Sequence, residues 1–559
     1  MSHASPSSRR RFLQASVATA AGVVLPGWAL TNRAPAIIAS ESERPQALQG
    51  LHFGDPSDGS VVVWSRSDRA ARMLVEWSCD EQFRDAQLLI GPHALETTDF
   101  TARVDLQGLE AGSEVFVRVA FQSLTNSRVL SEPITGRFIV PPNGLIGDGH
   151  DSDSADHHFG GFGRERFHHA RTDLRFLWGG DTAGQGWGIN PSWGGMRIYE
   201  AMRQRNPLFF VHSGDNIYAD GPISEAVVAE NGMIWNNIVT PQVAKVAETL
   251  EEFRGRHRYN LLDENVRRFN AEVPQIWQWD DHEVTNNWSD SKDLSSDARY
   301  SEKNVPLLVA RGTRAFLEYA AMRPFDVRES QRVYRRRSYG PLLELFVLDM
   351  RSYRGPNSAN LQTIPSDQTA FLGREQLDWL KAGLDDSRAV WKVVAADMPL
   401  GLNVGDGRTA EGLPRWEAVA NGEPLAPKGR ELEFVELLGH LKHQRVRNVV
   451  WLTADVHYCA AYFYDPAKAA FRDFDGFWEF VAGPLNAGTF GPNVLDNTFG
   501  PQAVFVKAPP PGQSNLSPYS GYQFFGEVNI DAHSAHLTVD LRDINGTSVF
   551  SKTVPPRYF

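Results

Sequence analysis

Cysteine is nearly absent from this sequence: Cys79 and Cys459 are the only two in 559 residues. That scarcity excludes a fold framed by disulfides. No cysteine run suited to an iron–sulfur cluster, no CxxCH and no His-x-His pattern occurs, so an exported redox protein ranks last among the functional classes. Cys459 sits two residues past His457 and reads as a small buried side chain in preference to a ligand. No apolar run is long enough for a comfortable membrane span, and no internal repeat is visible. Positive charge is in deficit, with 56 Lys and Arg against 68 Asp and Glu and a net charge of -12. That balance argues against a nucleic-acid or anionic-membrane binder. It leaves an anionic substrate open, because bound cations do not enter the sum.

The N-terminus carries an address. Arg9 and Arg10, then Phe12 and Leu13, then an Ala- and Val-rich stretch to about Leu30 resemble a twin-arginine export signal. Ala34-Pro35-Ala36 offers a small-residue cleavage pattern; the bland alternative is a basic tail. Residues 1–45 are therefore expected to be signal and linker, with the twin-arginine translocation machinery as a partner and a periplasmic or extracellular destination. That route carries folded proteins, often with their cofactors, which favours a metalloprotein.

Residues 46–140 alternate as short strands, among them Ser60–Ser65, Met73–Trp77 and Glu114–Val119, and predict a small β-sandwich. Residues 141–172 are rich in Gly, Asp and His and read as a linker. The pairs His157-His158 and His168-His169 could bind metal, but they lack ordered ligand spacing. From 173 to 559, apolar runs alternate with helical patterns at 241–271, 306–322, 371–385 and 430–445, which predicts an α/β layered domain. Phe524–Val539 and Gly546–Val554 read as a hairpin at a sheet edge.

Each apolar run of that third region leads into aspartate: Asp181, Asp215, Asp280-Asp281, Asp349, Asp397 and Asp455. Loops at the carboxyl ends of strands build the sites of α/β sheets. Carboxylates gathered in one place need compensating positive charge. Asp349 is expected to pair with Arg351 or Arg354. The other loops have no arginine nearby, but they do have Tyr218, His282 and His457, and oxygen with imidazole donors points to metal. Taken singly, any such Asp is as readily a helix cap or turn residue.

In order along the chain, SGDNIYADGP, WDDHEVTNNW and TADVHY resemble the PhoD-type alkaline phosphatases and phosphodiesterases of the calcineurin-like metallophosphoesterase class. The resemblance implies an α/β fold, a two-sheet metallophosphoesterase sandwich flanked by helices and preceded by the small all-β domain. It implies a metal-bridging role for Asp215, a phenolate ligand in Tyr218, metal ligands in Asp281, Asp455 and His457, and His282 beside the phosphate. Asp181 stands where many PhoD-type sequences have cysteine. Asp397 stands where related enzymes often place a histidine, and its role is open, as is that of Asn216. These replacements exchange soft or nitrogen donors for oxygen, which suits Ca²⁺, Mn²⁺ or Fe³⁺. A phenolate would need a strongly acidifying cation, since free Tyr ionises near pH ~10. The family is associated with iron and calcium.

The implied activity is hydrolysis of phosphate mono- or diesters, with a metal-bound hydroxide attacking in line and His282 protonating the leaving oxygen. A phospholipase D-type diesterase is the alternative within the class; Trp187, Trp193, Trp235 and Trp288 would then form an apolar rim, or else simply pack. An exported binding protein with a degenerate enzyme domain is the alternative from another class.

Overall fold

The computed structural model describes residues 25–26, 43–57, 59–142, 173–423 and 425–558. The twin-arginine pattern, Ala34-Pro35-Ala36 and the two histidine pairs lie outside the described residues. The chain divides into two compact units. The smaller comprises 1–51, 65–104 and 114–137, and the larger 52–64, 105–113 and 138–559.

The smaller unit is built on the antiparallel strands Gln87–Ala94, Ala71–Ser78 and Glu114–Ser123, in that spatial order, followed by Ile134–Ile139. Residues 52–64 belong to the larger unit, so the N-terminal all-β segment is interrupted.

The larger unit has two sheets at its centre. In one, Leu174–Gly179, Phe209–Ser213 and Gln275–Gln278 run parallel side by side. In the other, Leu343–Val347, Trp391–Ala395, Val449–Thr453 and Phe477–Val481 do the same. These strands are apolar on both faces because both are covered. Phe176, Trp178, Phe209 and Val211 point into the core shared with Leu343, Leu345, Val347 and Val393 of the second sheet. Leu177 and Phe210, one residue out of phase, point into an outer helical layer with Met202 and Phe269. On the far side, Phe346 and Val394 meet Leu377, Leu380, Phe434 and Leu437 of the helices Arg374–Asp386 and Glu431–His443. The result is a four-layer helix–sheet–sheet–helix stack. Cys459 is fully buried in the inter-sheet core.

Two expectations need correction. The helical pattern at 241–271 is two helices, Leu250–Asn260 and Glu264–Asn270. A Thr249–Glu252 capping box starts the first, and the Asp263 carboxylate, accepting from the N–H of Asn265 and Val266, starts the second. The C-terminal segment is a meander of three strands, Phe524–Ile530, Leu537–Asp543 and Ser548–Val554, in which the first pairs antiparallel with Leu174–Gly179. Asp531 bends the chain inside the stretch expected to be one strand, accepting from the N–H groups of His533 and Ser534. Among the described residues, no helix is long and apolar enough to cross a membrane.

Candidate metal centre

The six strands that precede the aspartates end at Gly179, Ser213, Gln278, Val347, Ala395 and Thr453. In every case the aspartate stands two residues further on. Asp181, Asp215 and Asp455 have left-handed backbones, with φ of 66°, 51° and 63°, and His457 joins them at 60°. This region of φ is sparsely used by non-glycine residues and is most accessible to Asp, Asn and His. Turning the chain so sharply at the sheet edge aims these side chains back across the strand ends.

Donor atoms of Asp181, Asp215 and His457 lie within 4.8 Å of one another, and so do those of Asp215, Asp281 and His282. Asp215 is common to both groups. Tyr218 adds its hydroxyl 3.0 Å from His457 Nε2. Its ring is covered by the loop after Asp181: a Cβ on Gly184 would come within 2.4 Å of the ring, so only glycine fits there. His457 Nδ1 faces the Gly488 carbonyl, which makes Nδ1 the protonated nitrogen and leaves the Nε2 lone pair turned toward Tyr218 and Asp181. His282 Nδ1 lies 2.6 Å from Asp220 Oδ1, so its Nε2 is the free nitrogen. Asp215, Tyr218, Asp281, His282, Asp455 and His457 line a pocket of about 580 Å³.

The electrostatics of this cluster call for a cation. Burial, then the charges of neighbouring carboxylates, pushes the carboxyls of Asp181 and Asp455 well above the ordinary range. Asp215 is also pushed up, by burial and by Asp281 and Asp280 against the opposing pull of His282. Burial would raise Asp281 as well, but His282, Arg351 and the Asn287 N–H hold it below its usual value. The Tyr218 hydroxyl is driven far up by burial and by Asp215 and Asp181. Both carboxylate oxygens of Asp181 and the Oδ1 of Asp281 are buried without a hydrogen-bond partner. Unpaired buried carboxylate oxygens, with an imidazole and a phenol among them, fit hard cations.

Two of the residues singled out from sequence sit apart from the donor groups. Asn216 turns its amide away: Nδ2 donates to His212 Nδ1 at 2.8 Å and to the Gln278 carbonyl at 3.2 Å. Asp397 is buried behind the pocket, 3.7 Å from Arg351 Nε. Asp455 lines the pocket without joining either donor group. The pairing expected for Asp349 is corrected as well. Its side chain accepts from Trp279 Nε1, the Ser352 hydroxyl and the N–H of Arg351, whereas the Arg351 guanidinium reaches Asp280 at 2.6 Å and Glu417. None of the four tryptophans lines this pocket: Trp187, Trp235 and Trp288 are buried, and Trp193, half-buried, packs edge-on against Tyr519 at a ring-centroid distance of 5.0 Å. Phe490, Val404 and Val456 supply apolar lining to the pocket, and Asn286, Lys292 and Arg299 line it as well.

Asp220 and Glu283 escaped the sequence reading. Burial would raise the Asp220 carboxyl, but His282 and the Asn286 N–H bring it down to about 2. Glu283 accepts from the N–H of Asn216 at 2.5 Å and of Asp280 at 2.7 Å, and so ties two of the ligand-bearing loops together. Both residues lie inside the motifs that point to the site, two residues after Tyr218 and one after His282, and that proximity was the available signal.

Two face-to-face sheets with helices outside and a carboxylate-rich cluster at the strand ends define the metallophosphoesterase architecture. A solved structure of PhoD shares this fold with a TM-score of 0.62 at 21% identity, covering 93% of this chain and 90% of that one. The purple acid phosphatase PPD1 of yellow lupin (Lupinus luteus) seeds does so at 0.53 and 13% identity, covering 92% and 75%. The PhoD-like phosphatase family model matches residues 176–541, and that of the PhoD-like phosphatase N-terminal domain matches residues 32–142. The chain belongs to the PhoD-like phosphatase family. Alkaline phosphatase D of Bacillus subtilis (strain 168) is 29% identical over 276 residues, a match spanning 46% of this chain and less than half, 42%, of that protein.

Proposed function

We propose that this chain is an exported phosphoric ester hydrolase that works through bound metal ions. The observation that carries the reading is Asp215, the one carboxylate shared by two groups of donor atoms that each close within 4.8 Å. Asp181, Tyr218 and His457 would hold one cation and Asp281 a second, with Asp215 between them and Asp455 at the pocket wall. The oxygen-rich set and the phenol favour Fe³⁺ with Ca²⁺; Mn²⁺ is the alternative. Such cations neutralise phosphoryl oxygens and make a water acidic. The remaining work falls to the chain. Asp220 fixes the His282 ring with Nε2 free, where it can hold a proton for the leaving oxygen. Lys292 places positive charge on the wall where an anionic ester would enter, whereas Arg299 is paired with Asp297 at 2.7 Å on the same wall.

The apolar wall of Phe490, Val404 and Val456 supports the second reading, a diesterase of the phospholipase D type, since it offers a face to the non-phosphate part of a substrate. Nitrophenyl phosphate and bis-nitrophenyl phosphate, tested at alkaline pH with defined metals, separate the readings. Hydrolysis should vanish on chelation and return with Fe³⁺ and Ca²⁺ or with Mn²⁺. A purified protein that retains no metal and cleaves neither ester would show the domain to be a degenerate one with a binding role. For export, Arg9→Lys with Arg10→Lys should strand the precursor in the cytoplasm, because twin-arginine recognition separates Arg from Lys at equal charge. Normal export of that variant would point to another route.

A further inference from the structure

The strands Trp391–Ala395 and Val449–Thr453 carry Asp397 and Asp455 beyond their carboxyl ends. Their amino ends, five residues or about 17 Å away, open into a separate cavity of about 630 Å³. Its wall includes Arg388, Lys392, Arg445, Arg447 and Arg557. Among the described residues, none of these four arginines has an ion-pair partner, although the chain as a whole has acid in excess, with a net charge of -12.

Nearby negative charge does not account for them. Asp385, also on the wall, is engaged by His440 at 2.9 Å. Lys392 is 9% exposed; it donates to the Ala389 carbonyl at 2.7 Å and faces Glu344 on the adjoining strand. The helices Arg374–Asp386 and Glu431–His443 end beside the cavity, and each C-terminus is equivalent to roughly half a negative charge. Those ends explain Arg388 and Arg445, which follow them by two residues. That leaves Arg447 and Arg557, which line a neighbouring cavity together with Asp475 but make no ion pair with it among the described residues. Arg557 is held in place by Asn448, which accepts from its N–H at 2.7 Å and donates to its carbonyl at 3.2 Å. The hydroxyl of Ser387, on the same wall, is buried without a hydrogen-bond partner.

We propose that this cavity is an anion-binding site, distinct from the hydrolytic centre, that takes a polyvalent phosphate-class ligand. Guanidinium forks match phosphate oxygens in pairs, and several forks around one space favour a ligand with more than one negative charge. A monocarboxylate would leave most of these donors unused. The Ser387 O–H supplies a further donor. The ligand could be a free oligophosphate or a phosphorylated group on a larger molecule; the recognising chemistry is the same.

The test titrates tripolyphosphate into the full chain by calorimetry, with Asp215→Asn as a common background so that the hydrolytic centre does not contribute. Adding Arg447→Gln and Arg557→Gln should weaken binding about ten- to a hundredfold, the range expected for losing charge-assisted hydrogen bonds. A control pair, Arg128→Gln with Arg328→Gln, removes equal charge from exposed positions elsewhere and should leave binding unchanged. Acetate at equal concentration should not compete. In the otherwise native chain, the Arg447 and Arg557 substitutions should leave ester hydrolysis as it was. An unchanged isotherm in the cavity variant, or an equal loss in the control pair, overturns the site. A short phosphorylated glycerol oligomer, titrated in parallel, distinguishes an attached phosphoryl group from a free one by which probe binds more tightly.

Discussion

His282 Nδ1 and Asp220 Oδ1 are 2.6 Å apart, and this contact decides what the other ring nitrogen can do. Burial alone would lower the His282 pKa, but Asp220, Asp281 and Asp215 outweigh it and hold the imidazole well above its usual value. If His282 delivers a proton, His282→Ala should slow hydrolysis of an alkyl phosphate about a hundred- to ten-thousand-fold. A nitrophenyl ester, whose leaving group barely needs a proton, should suffer far less, with bound metal nearly unchanged. Loss of metal would make His282 a ligand. Equal damage to both esters with metal retained would make it a phosphoryl-positioning group. Asp220→Asn should reproduce the pattern in weaker form, about ten- to a hundredfold.

Asp215→Asn should abolish turnover and reduce bound metal, because one oxygen set serves both donor groups. Metal analysis alongside the rate checks this. Near-normal values of both would refute a shared carboxylate.

The Tyr218 hydroxyl, driven upward by burial and two carboxylates, ionises only against a strongly acidifying cation. With Fe³⁺ bound, the protein should show a visible charge-transfer band that Tyr218→Phe removes. A colourless, fully active, iron-free protein would exclude iron while leaving the phosphoesterase reading intact.

His257, stacked between Trp277 and Tyr319 at ring-centroid distances of 6.1 and 5.0 Å, is brought down by burial to a pKa of about 3. Its unfolded value is 6.5. Between those limits the unfolded chain takes up a proton that the native chain refuses, so stability rises with pH across that window and is lost on acidification. The slope from this one group approaches about 1.4 kcal/mol per pH unit. His257→Phe keeps the stacking and removes the titration. Urea unfolding at pH 7, 6 and 5 should therefore show a shallower decline in the variant. Parallel declines would show that His257 is not neutral in the native state.

The site's framework was legible because period and punctuation coincide. An apolar run followed by aspartate marks both a covered parallel strand and the loop beyond it, so Asp181, Asp215, Asp281 and Asp455 could be placed at the carboxyl ends of strands without coordinates; that the first three belong to one sheet and Asp455 to the sheet facing it could not. Pairings across the sheet were not legible. Arg351 lies two residues from Asp349, and nearness along the chain suggested the wrong partner. It reaches Asp280, 71 residues away, because Gln275–Gln278 and Leu343–Val347, in facing sheets, end against each other, where Gln278 Nε2 donates to the Leu348 carbonyl at 3.0 Å. The direction of Asn216 was not legible either: it follows Asp215, but a turn at φ 51° sends consecutive side chains in different directions, and its Nδ2 donates to His212. The tryptophans read as rim or packing until their burial was known, since composition carries no depth.

On the metal-centre reading, the left-handed turns at Asp181, Asp215, Asp455 and His457 would also couple maturation to loading. Asp181, Asp215 and Asp455 each follow a strand buried at its carboxyl end, and His457 stands two residues beyond Asp455, so the turns hold the carboxylates close together. His282 and Arg351 relieve part of the crowding, and a proton or a metal ion would relieve the rest. Any cation taken up there would therefore stabilise the native state over the unfolded one. The empty chain would then be the easiest form to unfold and the most exposed to proteases, and occupancy of this cluster would mark the step from a newly folded chain to a durable one.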